Sequence, residues 1–158
     1  MSDCIDALID QNLITTLKTI VQPTYNTAIG TVERLRTCIN INGRYPYTLC
    51  IQLEPDEVEQ WGQLRNDNLN YIIWHLDGKN DENETVNGEF VYRLRNVAAD
   101  ITKAVKADVT RGGYAQNTVI TKTGFGIFGP DDTVGEPGAF LLLQIERIID
   151  PNDPYQLA

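Results

Sequence analysis

The feature that most constrains the fold is an apolar stripe with helical spacing in residues 90–105. Glu89 lies at its start, and Lys103 and Lys106 lie near its end, where their charges complement the helix dipole. Residues 111–113, Arg-Gly-Gly, predict the stop. Steps of three and four residues place the apolar members on one helix face, and they are Phe90, Val91, Leu94, Val97, Ala98, Ile101, Ala104 and Val105. Such a face must pack against another layer.

A second stripe of this kind occupies residues 3–21. Ser2 or Asp3 is available as its N-cap, and Pro23 predicts its end. Its apolar members are Ile5, Leu8, Ile9, Leu13, Leu17, Ile20 and Val21. The chain therefore has two amphipathic helices separated by a long intervening region.

Five segments have the alternation or the β-branched and aromatic content of strands, and they are residues 31–39, 47–53, 69–76, 118–125 and 139–149. The element order is thus α-β-β-β-α-β-β. Three consecutive strands without a helix between them predict an antiparallel meander. Two helices suffice to cover one face of such a sheet. We predict an α+β fold with a mostly antiparallel β-sheet covered on one face by two helices.

The 158 residues, 42% of them apolar, fit a single domain spanning residues 1–158. A chain of this size buries roughly 70% of its unfolded surface, which is enough for a sizeable core. Three segments have loop composition: an acidic loop at 77–89, a Gly/Pro loop at 126–138 and a short tail at 151–158.

The charge balance excludes some partners. With 13 basic and 22 acidic residues, the net charge of −9 repels phosphate backbones and anionic lipid surfaces. No apolar run approaches the roughly 20 residues of a membrane span, and the N-terminus lacks the pattern of a secretory signal. Cys4, Cys38 and Cys50 are an odd number at wide spacing, as expected for reduced thiols. We expect synthesis in the cytosol and no membrane contact.

Two motifs suggest chemistry on first inspection. Residues 124–129 match the glycine pattern of a dinucleotide-binding turn, but Pro130 and further acidic residues follow where a helix should begin. His75, the only histidine, is a candidate base for Cys50 with Asp77 as the orienting carboxylate, yet no nucleophile motif surrounds Cys50. One histidine and three scattered cysteines also lack the spacing of a zinc site.

The acidic segments give no stronger signal. Residues 77–84 offer oxygen ligands, but Gly78 stands at the second position, where a calcium loop of the EF-hand type requires glycine at the sixth. The carboxylates within residues 54–59 could serve as a general acid and a general base, but their spacing defines no cleft. We predict no catalytic, cofactor-binding or metal-binding residue, and we expect a protein that is not an enzyme.

Large apolar residues stand among glycines in residues 123–138, where local structure buries them poorly. They either pack under the sheet of the same chain or become ordered against a neighbouring subunit. For the second alternative, the predicted subunit interface consists of Phe125, Ile127, Phe128, Asp131 and Asp132.

The chain resembles the tail terminator family of tailed phages and closely related neck proteins. The resemblance covers nearly the whole chain and lies in its size and element order: a leading helix, a strand block entered at residues 45–47, a long helix around residues 96–101 and a closing strand pair. It implies a homo-oligomeric, hexameric ring in the virion that caps the tail tube and joins it to the head connector. DNA would pass through the lumen without specific binding, and the acidic balance is compatible with that.

Two alternatives stay open. Another head–tail connector or a tail-tube subunit would share ring geometry and acidic, loop-rich surfaces. A small α+β enzyme or ligand-binding module would instead carry a defined pocket with a strained acid or base. Fold-level analogy does not separate these classes.

Overall fold

The computed structural model describes residues 3–34, 46–53, 68–77, 90–131, 134–148, 153 and 155–157, with the backbone alone for 127–131 and 134–136. Its elements are α1 (Ile5–Lys18), β1 (Thr31–Arg34), β2 (Tyr47–Leu53), β3 (Asn68–Leu76), α2 (Phe90–Ala107), a short 3₁₀ helix (Arg111–Gly113), β4 (Ala115–Asp131) and β5 (Val134–Arg147). The predicted α+β class and the α-β-β-β-α-β-β order are confirmed.

The five strands form one sheet in the order β1-β2-β3-β5-β4. The pairs β2–β3, β3–β5 and β4–β5 are antiparallel. The predicted three-strand meander is wrong at its first step, because β1 pairs in parallel with β2 from Thr31↔Tyr47 to Arg34↔Cys50. Parallel neighbours need a crossover of about a dozen residues, and residues 35–46, of which 35–45 lie outside the described residues, supply that length.

The main core lies between the two helices and one face of the sheet. The apolar stripes predicted for α1 and α2 provide its helical side, with Ile9 and Leu13 on α1 and Ile101 on α2 fully buried. Alternate residues of the central strands provide the sheet side, and they are Leu69, Tyr71, Ile73, Leu141, Leu143 and Ile145. A smaller cluster of Phe90, Leu94 and Ala139 extends this packing toward the N-terminal end of α2.

The predicted Gly/Pro loop at 126–138 is wrong. The strands β4 and β5 continue through it, with backbone pairs from Phe125↔Ala139 to Asp131↔Val134. Because the last pair between β3 and β5 is Leu76↔Gly138, this end of the hairpin has two strands among the residues that the structure describes, and we call it the two-stranded ribbon. Proline removes one donor but keeps its acceptor, and the Pro137 carbonyl accepts a hydrogen bond from the Asp77 amide at 2.9 Å.

Other predicted segments fall outside the described residues. These are the strand residues 35–39, the carboxylates at 54–59 and the acidic loop 77–89 except for Asp77. The single-domain organisation and the tail at 151–158 stay predictions. In the part of the chain that the structure describes, neither helix combines the length and the hydropathy needed to cross a membrane.

Candidate functional site

The proposed base His75 lies in a buried polar cluster between β2, β3 and α2. Its Nδ1 is 2.9 Å from Thr48 Oγ1, and that hydroxyl donates its proton to the Ile29 carbonyl at 3.0 Å. Since a hydroxyl has one proton, His75 Nδ1–H must be the donor to Thr48. In the neutral ring the other nitrogen, Nε2, is then an unprotonated acceptor, and it lies 3.9 Å from Asp77 Oδ1. That distance is too long for a hydrogen bond.

Asp77 is held mainly by α2. Arg93 Nε donates to Asp77 Oδ2, which ties the end of β3 to the first turn of the helix. Burial works to raise the pKa of Asp77, but the hydrogen bond and the positive charge of Arg93 work against burial, and the pKa is held below its usual range. The carboxylate therefore stabilises the packing of a helix on a strand.

Cys50 does not complete a catalytic triad in this cluster. It lies on β2 opposite Ile73, its side chain is buried, and in the described part of the chain no hydrogen bond joins it to His75. Burial, aided by the Asp10 carboxylate, raises the pKa of the Cys50 thiol to about 12. A thiol of that pKa is protonated at neutral pH and is a poor nucleophile. Cys50 is thus a buried residue of the main core.

The glycine motif at 124–129 lies inside β4, and β5 follows it where a dinucleotide site needs a helix N-terminus. Gly124 has a packing role instead, because a Cβ at this position would lie 2.2 Å from Phe140 Cε1. Within the described residues, no group of three or more His, Cys, Asp or Glu side chains is placed to hold a metal ion.

Arg111 is a buried residue that the sequence did not reveal. Its side chain is fully buried and donates to the Val105 carbonyl, and its Nη1 lies 3.5 Å from Thr16 Oγ1 on α1. Burial lowers the pKa of this guanidinium, and the nearby Asp108 works against that shift. The Arg-Gly-Gly segment indicated only a helix stop, since nothing in a single sequence separates a capping arginine from an exposed one.

The outer edge of β4 is the most extensive candidate interaction surface. β4 pairs with β5 on one side and is the last strand of the sheet among the described residues. It has 17 residues, and Lys122 is the one charged residue in positions 115–130. Val119 is 44% exposed and Phe125 is 37% exposed. A long edge strand with so little charge is suited to pairing with another chain.

Irregularities in the register of β4 limit the pairing of further strands with this edge. The register of β4 against β5 shifts between Ala115 and Asn117 and again between Ile120 and Lys122. Bulges and an edge lysine are devices that reduce uncontrolled strand pairing. The edge therefore favours a partner that matches its shape over indiscriminate aggregation.

The structure places the predicted interface residues along the hairpin. Phe125 pairs with Ala139, and its exposed side chain is not packed away under the sheet. Ile127 and Phe128 lie in β4 and Asp131 at its end, with their side chains outside the described residues, as is all of Asp132. The assignment of these five residues to a subunit interface stays a prediction.

Comparison with known proteins gives a likeness of fold. No protein-family model matches the sequence, and no curated protein matches it. Among solved structures, the chain is similar to that of the bacteriophage SPP1 gp17 protein, with a TM-score of 0.51. The match covers 93% of this chain and 92% of that chain at 11% sequence identity. At this identity the comparison shows a shared architecture over almost the full length of both chains.

Proposed function

We propose that this chain is a virion structural protein of a tailed phage, a terminator-like subunit whose ring caps the tail tube and joins it to the head connector. The observation that carries the proposal is the full-length fold likeness to a bacteriophage protein. Under this proposal the protein acts by assembly, without catalysis or a cofactor, and it is located in the tail or neck of the virion. Another connector or a tail-tube subunit is the nearest alternative.

The two edges of the sheet support ring formation. Among the described residues, the β1 edge is four residues long and lies beside α1, whereas the β4 edge is 17 residues long. Contacts between unlike surfaces are heterologous, and they generate closed rings when the rotation between subunits closes. In our proposal the partners are further copies of this chain, in a hexamer, together with the tail-tube and head-connector proteins, while DNA passes through the lumen.

The proposal is tested by native mass spectrometry and negative-stain microscopy of the purified chain. We expect rings, and we expect these rings to bind the ends of assembled tail tubes. Phe125→Ser should reduce ring formation because Phe125 is an exposed apolar residue of β4. Val21→Ser, which changes a 51% exposed residue after α1, is the matched control and should assemble normally.

Three results would count against this function. A chain that stays monomeric at high concentration contradicts assembly. Rings that never bind tube ends contradict the terminator role and favour another connector. A monomer that binds a small molecule supports the ligand-binding module instead.

A further inference from the structure

A groove runs along the β4 edge on the side of α2. One wall consists of Thr102 and Lys106 on α2 and Val109 just after it, and the strand wall consists of residues 117–120 and Thr123. Its volume is about 590 Å³, and it is open to solvent. α2 contacts both β5 and β4, and Lys106 and Val119 on the two walls of the groove are exposed to solvent.

An extended peptide segment fits this geometry. A strand added to β4 gains main-chain hydrogen bonds from the unpaired edge, and its alternate side chains enter the space beside the edge. The lining combines hydroxyl and amide groups with Val109, Val119 and Ile120. The polar groups can bind the backbone of a peptide, and the three apolar residues can contact its apolar side chains. The groove therefore has the features of a strand-addition site.

The charge of the groove lining indicates which charge its binding partner should carry. Lys106 is the one charged residue in the lining, which contains no carboxylate although the chain has a net charge of −9. No ion pair to Lys106 is present among the described residues. An acidic segment is thus the complementary partner.

We infer that this groove binds residues 153–157 of a second copy of the chain. Tyr155 is 56% exposed and Leu157 is 48% exposed, so the segment presents two large apolar side chains to solvent. In an extended conformation Asp153, Tyr155 and Leu157 project to the same side. Tyr155 and Leu157 would then enter the groove, with Asp153 directed toward the Lys106 side.

Pro154 is compatible with the pairing of this segment along β4. In an edge strand, every second residue directs its amide toward the neighbouring strand, and the residues between them direct theirs to solvent. If Asp153, Tyr155 and Leu157 bond to β4, Pro154 lies at a position where no amide is needed. Proline is tolerated in an edge strand for this reason.

In the described part of the segment, the contacts that oppose the rearrangement are an isolated β-bridge at Asp153 and two local hydrogen bonds. The Tyr155 amide donates to Asp153 Oδ1 at 3.0 Å, and the Gln156 amide donates to the Asp153 carbonyl at 3.2 Å. The first of these is exposed, and both span three residues or fewer, so water or a β4 edge replaces them readily. The inference deepens the proposed function and rests on it, because it names one contact through which copies assemble.

Photo-crosslinking of the full chain tests the contact. The probe p-benzoylphenylalanine replaces Tyr155 in an unlabelled copy, which is mixed with a ¹⁵N-labelled copy so that crosslinks between copies are recognised by mass. We expect crosslinks between copies at residues 102–109 and 117–123. The same probe in place of Tyr92, a 70% exposed residue of α2, is the control and should not give these crosslinks.

A charge exchange gives an independent measurement. Lys106→Glu and Asp153→Lys should each weaken self-association by about two- to fivefold, the effect of an exposed ion pair, and the double exchange should restore it. Tyr155→Ser with Leu157→Ser should weaken self-association by about tenfold or more, whereas Tyr92→Ser should not. Circular dichroism of each variant checks that it is folded.

The outcomes separate this inference from the proposed function. Rings whose Tyr155 crosslinks lie elsewhere, or whose assembly is unaffected by the double serine variant, overturn the inference and leave the proposed function intact. Dimers with the expected crosslinks but without rings support the inference and contradict the ring. A chain that stays monomeric overturns both.

Discussion

Asp100 on α2 holds the backbone of Thr27 in the segment between α1 and β1. Its Oδ2 accepts hydrogen bonds from the Thr27 amide at 2.8 Å and from the Thr27 hydroxyl at 2.7 Å. The carboxylate is only 3% exposed, so it is bound almost entirely by protein groups. This pair fixes the path by which the chain leaves the helical layer and enters the sheet.

Replacement of Asp100 by alanine should therefore destabilise the fold. The change removes a charged acceptor and leaves the Thr27 amide without its partner, which costs about 2–3 kcal/mol in the free energy of unfolding. Thr27→Val removes only the hydroxyl bond and should cost about 1 kcal/mol. Urea unfolding measures both values. Equal losses in the two variants would contradict the importance of the amide contact.

The tautomer of His75 is a second prediction. Because Thr48 gives its proton to Ile29, the neutral ring should carry its proton on Nδ1. The chain has one histidine, so the ¹⁵N and ¹H correlation pattern of its ring requires no assignment. Thr48→Val removes the acceptor and should shift this pattern. A native ring protonated on Nε2 would show that the Thr48 contact is wrong.

The Asp77–Arg93 pair predicts a defined dependence of stability on pH. The pKa of Asp77 is lowered from 3.8, so the ionised carboxylate stabilises the folded state. This contribution is fully present at neutral pH and is lost as the pH falls from about 3.8 through the lower folded value. The difference in unfolding free energy between the native chain and Asp77→Asn should be constant at neutral pH and should shrink in acid.

The exposed residue Asp3 supplies the control for this measurement. Asp3→Asn should produce a much smaller difference at every pH, since exposed ionic contacts contribute little. A difference for Asp77→Asn that grows as the pH falls would have the wrong sign and would contradict the pairing with Arg93.

Two glycines of β4 should respond oppositely to the same change. Gly124→Ala places a methyl group against Phe140, which must move, and we expect a loss of about 1–3 kcal/mol. Gly126→Ala meets no atom within 4 Å and should stabilise the strand by about 0.5 kcal/mol through reduced backbone entropy of the unfolded chain. Thermal or urea unfolding compares the two. Similar effects at both positions would refute the contact with Phe140.

Cys50 should be inert toward thiol reagents in the folded protein. Its pKa of about 12 and its burial leave very little accessible thiolate at pH 8. Alkylation followed by peptide mass spectrometry should detect modification of the partly exposed Cys4 well before that of Cys50. Denaturant should remove the difference. Rapid native labelling of Cys50 would instead indicate an activated nucleophile and would revive the hydrolase hypothesis.

The strongest periodic patterns predicted the fold well. The apolar stripe at 90–105 corresponds to α2, and the segment 47–53 coincides with β2, because burial of one helix face or one sheet face leaves a repeat that local sequence carries. The parallel pairing of β1 and the position of β5 between β3 and β4 depend on contacts between distant segments. No local pattern encodes those contacts.

The candidate site was less accessible to sequence reasoning. Phe125 ends the predicted strand 118–125, and the glycines and prolines that follow it predict a loop where the structure has a paired strand. Glycine is compatible with a strand where a side chain from the neighbouring strand fills its space, as Phe140 on β5 does beside Gly124. The groove beside Lys106 had no sequence signal, because it is formed by a helix and a strand that each follow their own periodicity.

The two-stranded ribbon beyond Gly138 has a mechanical consequence. From Gly126 to Asp131 it extends roughly 15 Å past the point where β3 stops pairing. A projection of that length lies beyond the part of the sheet that includes β3, so a contact made there with another molecule would not involve β3. Shortening the ribbon by paired deletions, one residue from each arm at a time, would change that length in steps of about 3.3 Å without altering the helical layer.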